Sequence, residues 1–176
     1  MNQTILEFLY NLVAGNSWLT GLTVFFAVYL PYLIVALLAG VAIFSKDKNF
    51  KKDIIISFII TGALWFIVFV FKEIFPSPRP FEVLANIIPL FPHSAGGAFP
   101  SGHAAFFGAL AVALFCLGHK RWGCWLGWAA ILIAVARVAA GVHWPADVLV
   151  GLLVGSAGAY VLIKFFFLHF STARPE

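Results

Sequence analysis

Residues 98–117 read AFPSGHAAFFGALAVALFCL, and the change of character inside this stretch decides the fold. Ala98 to His103 is a polar, proline-framed turn, whereas Ala104 to Leu117 carries no charge. An uncharged run led by an ionisable group predicts a membrane helix with a functional head. Pro100 suits the first position of such a helix. The amides of Ser101 and Gly102 are then expected to lie free at the positive end of the helix dipole, where an anion is favoured.

The pattern repeats outward from there. Trp18–Phe44, Ile54–Phe71, Trp122–Ala136 and Val148–Ile163 are also uncharged. The first two are long enough to span a bilayer. The others, like Ala104–Leu117, fall short of the ~20 residues required and gain length from motif residues or a snorkelling Lys164. Of 176 residues, 62% are hydrophobic and 10% charged, against ~25% charged in a soluble domain. The expectation is an all-α integral membrane protein, residues 1–176 forming one domain with five transmembrane helices in a single bundle.

Charge placement orients that bundle. The formal charge of +4 is no sign of a nucleic-acid partner, because eight of the eleven basic residues crowd one side. They are Lys46, Lys48, Lys51, Lys52, Lys120, Arg121, Lys164 and Arg174, and they mark the cytoplasmic face. Counting back places the N-terminus, the Pro76–Pro100 loop and the Arg137–Asp147 break outside, with the C-terminus inside. No Lys or Arg precedes Lys46, so a signal peptide's basic n-region is missing. Residues 1–16 put Ile5, Phe8, Leu9 and Leu12 at helical spacing, as an interfacial helix that serves as an anchor or flanks a lipid entrance. Cys116 and Cys124 fall near the reducing side and are expected to pack without a disulfide.

Two prolines-rich features shape the connections. Pro31 sits inside the first span, which predicts a kink rather than a break. Residues 76–100 hold six of the nine prolines together with Gly96 and Gly97, so no regular helix is expected there. Phe81, Val83, Leu84, Ile87, Ile88, Leu90 and Phe91 argue against disorder. A long outer loop folding back as a lid or lipid-facing wall follows. Gly118–Gly123 is a tight connector, making the third and fourth spans antiparallel neighbours.

Three motifs converge on the outer side in this topology. They are Lys72-(six residues)-Arg79-Pro80, Pro100-Ser101-Gly102-His103, and Arg137-(five residues)-His143-(three residues)-Asp147. Lys72, Arg79 and Arg137 would surround the amides of Ser101 and Gly102 as a phosphoryl clamp, each guanidinium able to hold two oxygens. In this order the motifs resemble the signature of the type 2 phosphatidic acid phosphatase superfamily, whose soluble relatives include vanadium haloperoxidases. The resemblance covers Lys72 to Asp147. Its one departure is Ala136, where the family usually has a serine.

Metal-free hydrolysis of a phosphate ester needs a nucleophile, an acid for the leaving oxygen and donors for the remaining oxygens. His143 is expected to be the nucleophile, with Asp147 holding its far ring nitrogen, and His103 the acid. These roles match what the resemblance implies. For Asp147 a simple dipole role at the third position of the last helix is also open. His93 is read as a surface histidine that could reach a second phosphate, Glu73 as a partner of Lys72 or a solvated group, and Glu82 is left without a role. His119 and His169 lie at the opposite face.

No metal set and no cofactor motif is visible. The stretch Pro92–Ser101 is similar to the bacitracin-resistance type of undecaprenyl-diphosphate phosphatase. That resemblance implies a bacterial plasma-membrane enzyme releasing the terminal phosphate of a polyprenyl diphosphate through a phosphohistidine. Phosphatidylglycerophosphate and phosphatidic acid remain alternative substrates, and a non-catalytic lipid-phosphate binder or flippase and a vanadium-type oxidant remain alternative functions. Nothing in the sequence sets an oligomeric state.

Overall fold

The structure, a computed structural model, describes residues 1–170, with side chains described through Phe165. Arg174 lies outside the described residues, as does the side chain of His169. The regular secondary structure of the described residues is helical, with no strand. In chain order the helices are α1 (Asn2–Ala14), α2 (Ser17–Phe44), α3 (Lys48–Ile74), α4 (Pro80–Val83), α5 (Gly102–Cys116), α6 (Lys120–Ala139) and α7 (Pro145–Phe170).

Four of these are long and apolar enough to cross a membrane among the described residues, namely α2, α3, α6 and residues 145–165 of α7. Five were expected; α5, with 15 residues, falls short of the length. The reason is its position. Ala104, Ala105, Ala109, Leu110, Ala113 and Leu114 are all fully buried, so α5 is wrapped by the other helices and lipid does not set its length.

Helix ends follow local chemistry. Asn16 caps α2, its Oδ1 accepting from the amides of Trp18 and Leu19, and Asp47 caps α3 through Asn49 and Phe50. Pro31 does not break α2. The helix widens to a π turn over Phe25–Tyr29 and continues. Because proline lacks an N–H, the Ala27 carbonyl four residues back loses its usual donor.

The α5–α7 pair sets the distance between two of the three motifs. Gly151 and Gly155 on α7 face the Ser101–Ala105 backbone of α5, and a Cβ added at Gly155 would collide with the Ala105 carbonyl. Small residues at such a crossing allow the backbones to touch. Gly155→Leu is therefore expected to cost about 1–3 kcal/mol or more through overpacking. The check is the thermal midpoint of the detergent-solubilised protein, and an unchanged midpoint would contradict this packing.

α1 has two apolar faces. Ile5, Phe8 and Leu12 are exposed, as the spacing predicts, but Leu6, Tyr10 and Val13 are buried against the bundle. The Tyr10 hydroxyl donates to the Ile88 carbonyl at 2.9 Å, and Asn2 Oδ1 accepts from Ala146 N at 3.0 Å, serving an amide in the first turn of α7. The loop between α3 and α5 packs down rather than extending. Ile87 and Ala98 are buried, and Leu90 N donates to the Ala140 carbonyl at 3.2 Å. It also contains the short helix α4, started by Pro80 at a position where proline is tolerated; no helix was expected there.

Candidate active site

A cavity of about 510 Å³ opens at the end of the bundle where α3, α5, α6 and α7 present the three motifs. Its walls include Lys72, Arg79, His93, Gly102, His103, Arg137 and His143. Lys72 sits in the last turn of α3, where a cation opposes the negative end of the dipole. Its Nζ donates to the Gly97 carbonyl at 2.9 Å.

Arg79 is only 5% exposed and is fixed from several directions. Nε donates to the Gly96 carbonyl at 2.9 Å and Nη1 to the Val142 carbonyl at 2.8 Å. Its own amide donates to Glu82 Oε2 at 2.7 Å, which also accepts from Gly96 N at 3.0 Å. Those two amides hold the Glu82 carboxyl below its ordinary pKa. Glu82, which the sequence left without a role, thus pins the arginine to the loop.

Arg137, 3% exposed, closes the other side. Nη1 donates at 3.2 Å to the Ala27 carbonyl that Pro31 left unserved, and the guanidinium lies 5.7 Å over the Phe91 ring. Nε has no hydrogen-bond partner among the described residues. A proline in an apolar span signals a spare carbonyl, but not which cation will take it.

His143 is 1% exposed. Its Nδ1 faces Asp147 Oδ2 at 3.4 Å, and its Nε2 faces Arg79 Nη1 at 3.3 Å. An arginine can only donate, so Nε2 carries the lone pair and Nδ1 the hydrogen. The same Asp147 oxygen accepts from Trp144 N at 2.8 Å, which keeps the carboxylate in place. Asp147 is the third residue of α7, so orientation of His143 and a favourable place on the helix dipole coexist. Burial, followed by Arg137, Arg79 and Lys72, holds the His143 pKa well below the usual histidine value.

Two sequence readings need correction. The amide of Ser101 is not free: it donates to the Asp147 carbonyl at 2.9 Å, and Ser101 is the residue before the helix. The first intrahelical bond runs from Ala105 N to Ser101 O. The orphan amides thus belong to Gly102, His103 and Ala104, one position later than expected, because Pro100 precedes the cap instead of opening the helix. Ser101 Oγ is buried and unpartnered among the described residues.

His93 is not a surface residue. It is half-buried in the cavity wall, with Nε2 at 2.7 Å from Arg137 Nη2. Ala136, where the family usually has a serine, is buried and is not among the cavity-lining residues. Glu73 stands exposed in that wall. His119 lies away from the cavity, paired with Asp53 at 2.9 Å.

His103, in the first turn of α5, borders a second space. An apolar groove of about 340 Å³ between α2, α3 and α5 is lined by Pro31, Tyr32, Trp65, His103 and Phe106 among others. Trp65, Gly102 and His103 are common to groove and polar cavity. The arrangement can hold a tetrahedral anion among three cations and a helix N-terminus, beside an imidazole whose lone pair is turned to Arg79, with an apolar channel at its edge.

Similarity to known proteins agrees with this anatomy. The chain is 35% identical over 157 residues to an undecaprenyl-diphosphatase of Sulfolobus acidocaldarius, covering 88% of this chain and 73% of that protein. It is 29% identical over 176 residues to the undecaprenyl-diphosphatase BcrC of Bacillus subtilis, covering 97% and 84%. The crystal structure of Aquifex aeolicus LpxE superposes with a TM-score of 0.73 at 31% identity, over 93% of this chain and 94% of that one. Residues 64–171, which carry all three motifs and the helices that bring them together, match the PAP2 superfamily, and the chain belongs to it.

Proposed function

We propose that this protein removes the terminal phosphate of a membrane-anchored lipid diphosphate, undecaprenyl diphosphate, without a metal ion and through a phosphohistidine on His143. The observation that carries the reading is the disposition of His143, whose Nε2 lone pair faces the cations while Nδ1 is turned to Asp147. The names of the Sulfolobus and Bacillus relatives support the substrate.

In this mechanism Lys72, Arg79, Arg137 and the amides at the head of α5 take the terminal phosphoryl group. His143 Nε2 attacks phosphorus, and the bond to the bridging oxygen breaks as His103 delivers a proton to that oxygen. The lipid monophosphate leaves. His103 then takes a proton from water, which attacks phosphorus and breaks the N–P bond, releasing inorganic phosphate and restoring His143. Asp147 stabilises the imidazolium character of the intermediate.

The chain is a multi-pass membrane protein. Counting α5 as a fifth, protein-wrapped span, residues 1–176 make one phosphatase domain with α1 in the interface. Lys46, Lys48, Lys51, Lys52, Lys120 and Arg121 lie at the connections away from the cavity, and the positive-inside rule puts the cavity and the N-terminus outside a bacterial plasma membrane.

Two measurements test this. Phosphate release from undecaprenyl diphosphate, phosphatidylglycerophosphate and phosphatidic acid, with EDTA present, is expected to favour the first; turnover confined to another lipid would reassign the substrate. The second is the acid limb of kcat/KM. His143 attacks as the neutral imidazole, and its lowered pKa keeps it neutral as pH falls, so its limb is expected well below pH 6.5. A His143-dependent limb centred on the ordinary histidine value would contradict the role.

A further inference from the structure

One loop supplies an acceptor to each of the three cations. Lys72 Nζ donates to the Gly97 carbonyl, Arg79 Nε to the Gly96 carbonyl, and Arg137 Nη2 to His93 Nε2. The two carbonyls are aimed by positive φ values of 75° at Gly96 and 58° at Gly97, a conformation that favours glycine. The third acceptor differs in kind, because an imidazole can change from acceptor to donor.

The tautomer of His93 follows from its partners. Arg137 only donates, so Nε2 holds the lone pair; the Ser94 carbonyl, 3.2 Å from Nδ1, only accepts, so Nδ1 holds the hydrogen. Arg137 of α6, Arg79 of the loop and Lys72 of α3 face this ring, as do His103 and, at 6.3 Å between centroids, His143. Glu73 is the one carboxylate among the cavity-lining residues. Burial, then Arg79 and Arg137, push the His93 pKa down to about 4, so the ring is neutral beside bare cations.

A phosphate oxygen bound to Arg137 Nη2 brings an acceptor against that lone pair. Two acceptors repel. The contact becomes a hydrogen bond when Nε2 takes a proton from solvent, which the anion's charge favours.

We propose that His93 is a phosphate-binding residue of this site, accepting from Arg137 when no anion is bound and donating to the phosphate oxygen once one is. The proposal rests on the phosphate-site reading above and adds a coupling: anion binding takes up one proton at His93.

Sulfate binding to the full chain in detergent tests it, since sulfate stays a dianion throughout and takes no proton. Between about pH 5 and 8 the wild-type affinity is expected to fall with rising pH by up to about tenfold per unit more than that of His93→Gln. Glutamine offers Arg137 a carbonyl and sulfate an amide without titrating. Equal pH dependence in the two proteins overturns the proposal, as does a His93→Phe variant with the wild-type profile. Ring-nitrogen chemical shifts give an independent reading in the wild type. Conversion of His93 to the doubly protonated form at saturating sulfate is expected, and a ring that stays neutral overturns the assignment. A wild type that binds no sulfate at any pH sinks the phosphate-site reading as well.

Discussion

His143→Ala is expected to lower lipid dephosphorylation on the order of 10⁴-fold or more, and to remove the covalent phosphoryl adduct altogether. His143 is 1% exposed and packed between Arg79 and Asp147, so no other described ring nitrogen is oriented by a carboxylate within the cavity. Asp147 remains held by Trp144 N at 2.8 Å in the variant, and Arg79 by the Val142 and Gly96 carbonyls, so the phosphate cradle should persist. Substrate binding is therefore expected to survive while turnover does not. Alkaline quenching of the wild type with a radiolabelled terminal phosphate should trap label on the protein that is base-stable and is lost on later acidification. Retained turnover, or an adduct in the variant, would remove His143 from the mechanism.

The second large effect is expected at His103. Its ring borders both the polar cavity and the apolar groove, which under the proposed function is where the oxygen linking the terminal phosphate to the rest of the lipid lies. Loss of a general acid there is expected to cost about 10²–10⁴-fold with a lipid monoester such as phosphatidic acid, whose leaving alkoxide must take a proton. The loss should shrink to a few-fold with an aryl phosphate, whose leaving oxygen departs without a proton. A His103→Ala variant equally impaired on both substrates would show that His103 acts on binding or folding instead. Comparing the two substrates in one variant makes the result independent of how much protein folds.

The gathering of Lys72, Arg79, His103, Arg137, His143 and Asp147 was legible because each sits beside an uncharged run, and run lengths fix which end of the bundle each occupies. What escaped the sequence depends on backbone carbonyls. Ser101 gives its amide to Asp147 O, Arg137 reaches Ala27 O, and Lys72 and Arg79 reach the carbonyls of Gly97 and Gly96. A main-chain oxygen has no letter in a sequence, so neither its direction nor its partner is written there. His93 was misjudged for the same reason, since its burial comes from a loop whose path is set by Glu82 binding two amides. Of the five expected spans, four have spanning length among the described residues; α5 is shorter because it is surrounded by protein, whereas hydropathy measures length against lipid. The second face of α1 went unseen because Leu6, Tyr10 and Val13 interleave with the exposed positions on a helix apolar on both sides.

The glycine-mediated seam between α5 and α7 has a mechanical corollary. Two helices whose main chains interlock without intervening side chains behave as a single rigid block, and that block carries His103 and Asp147 together, with His143 on the turn just ahead of it. Under the proposed function, whatever breathing admits a lipid tail must then be borne by α2 and α3, walls of the apolar groove, while the reacting groups keep their spacing. Locking those two walls with an engineered crosslink should throttle entry of long lipids and leave a small soluble ester unaffected.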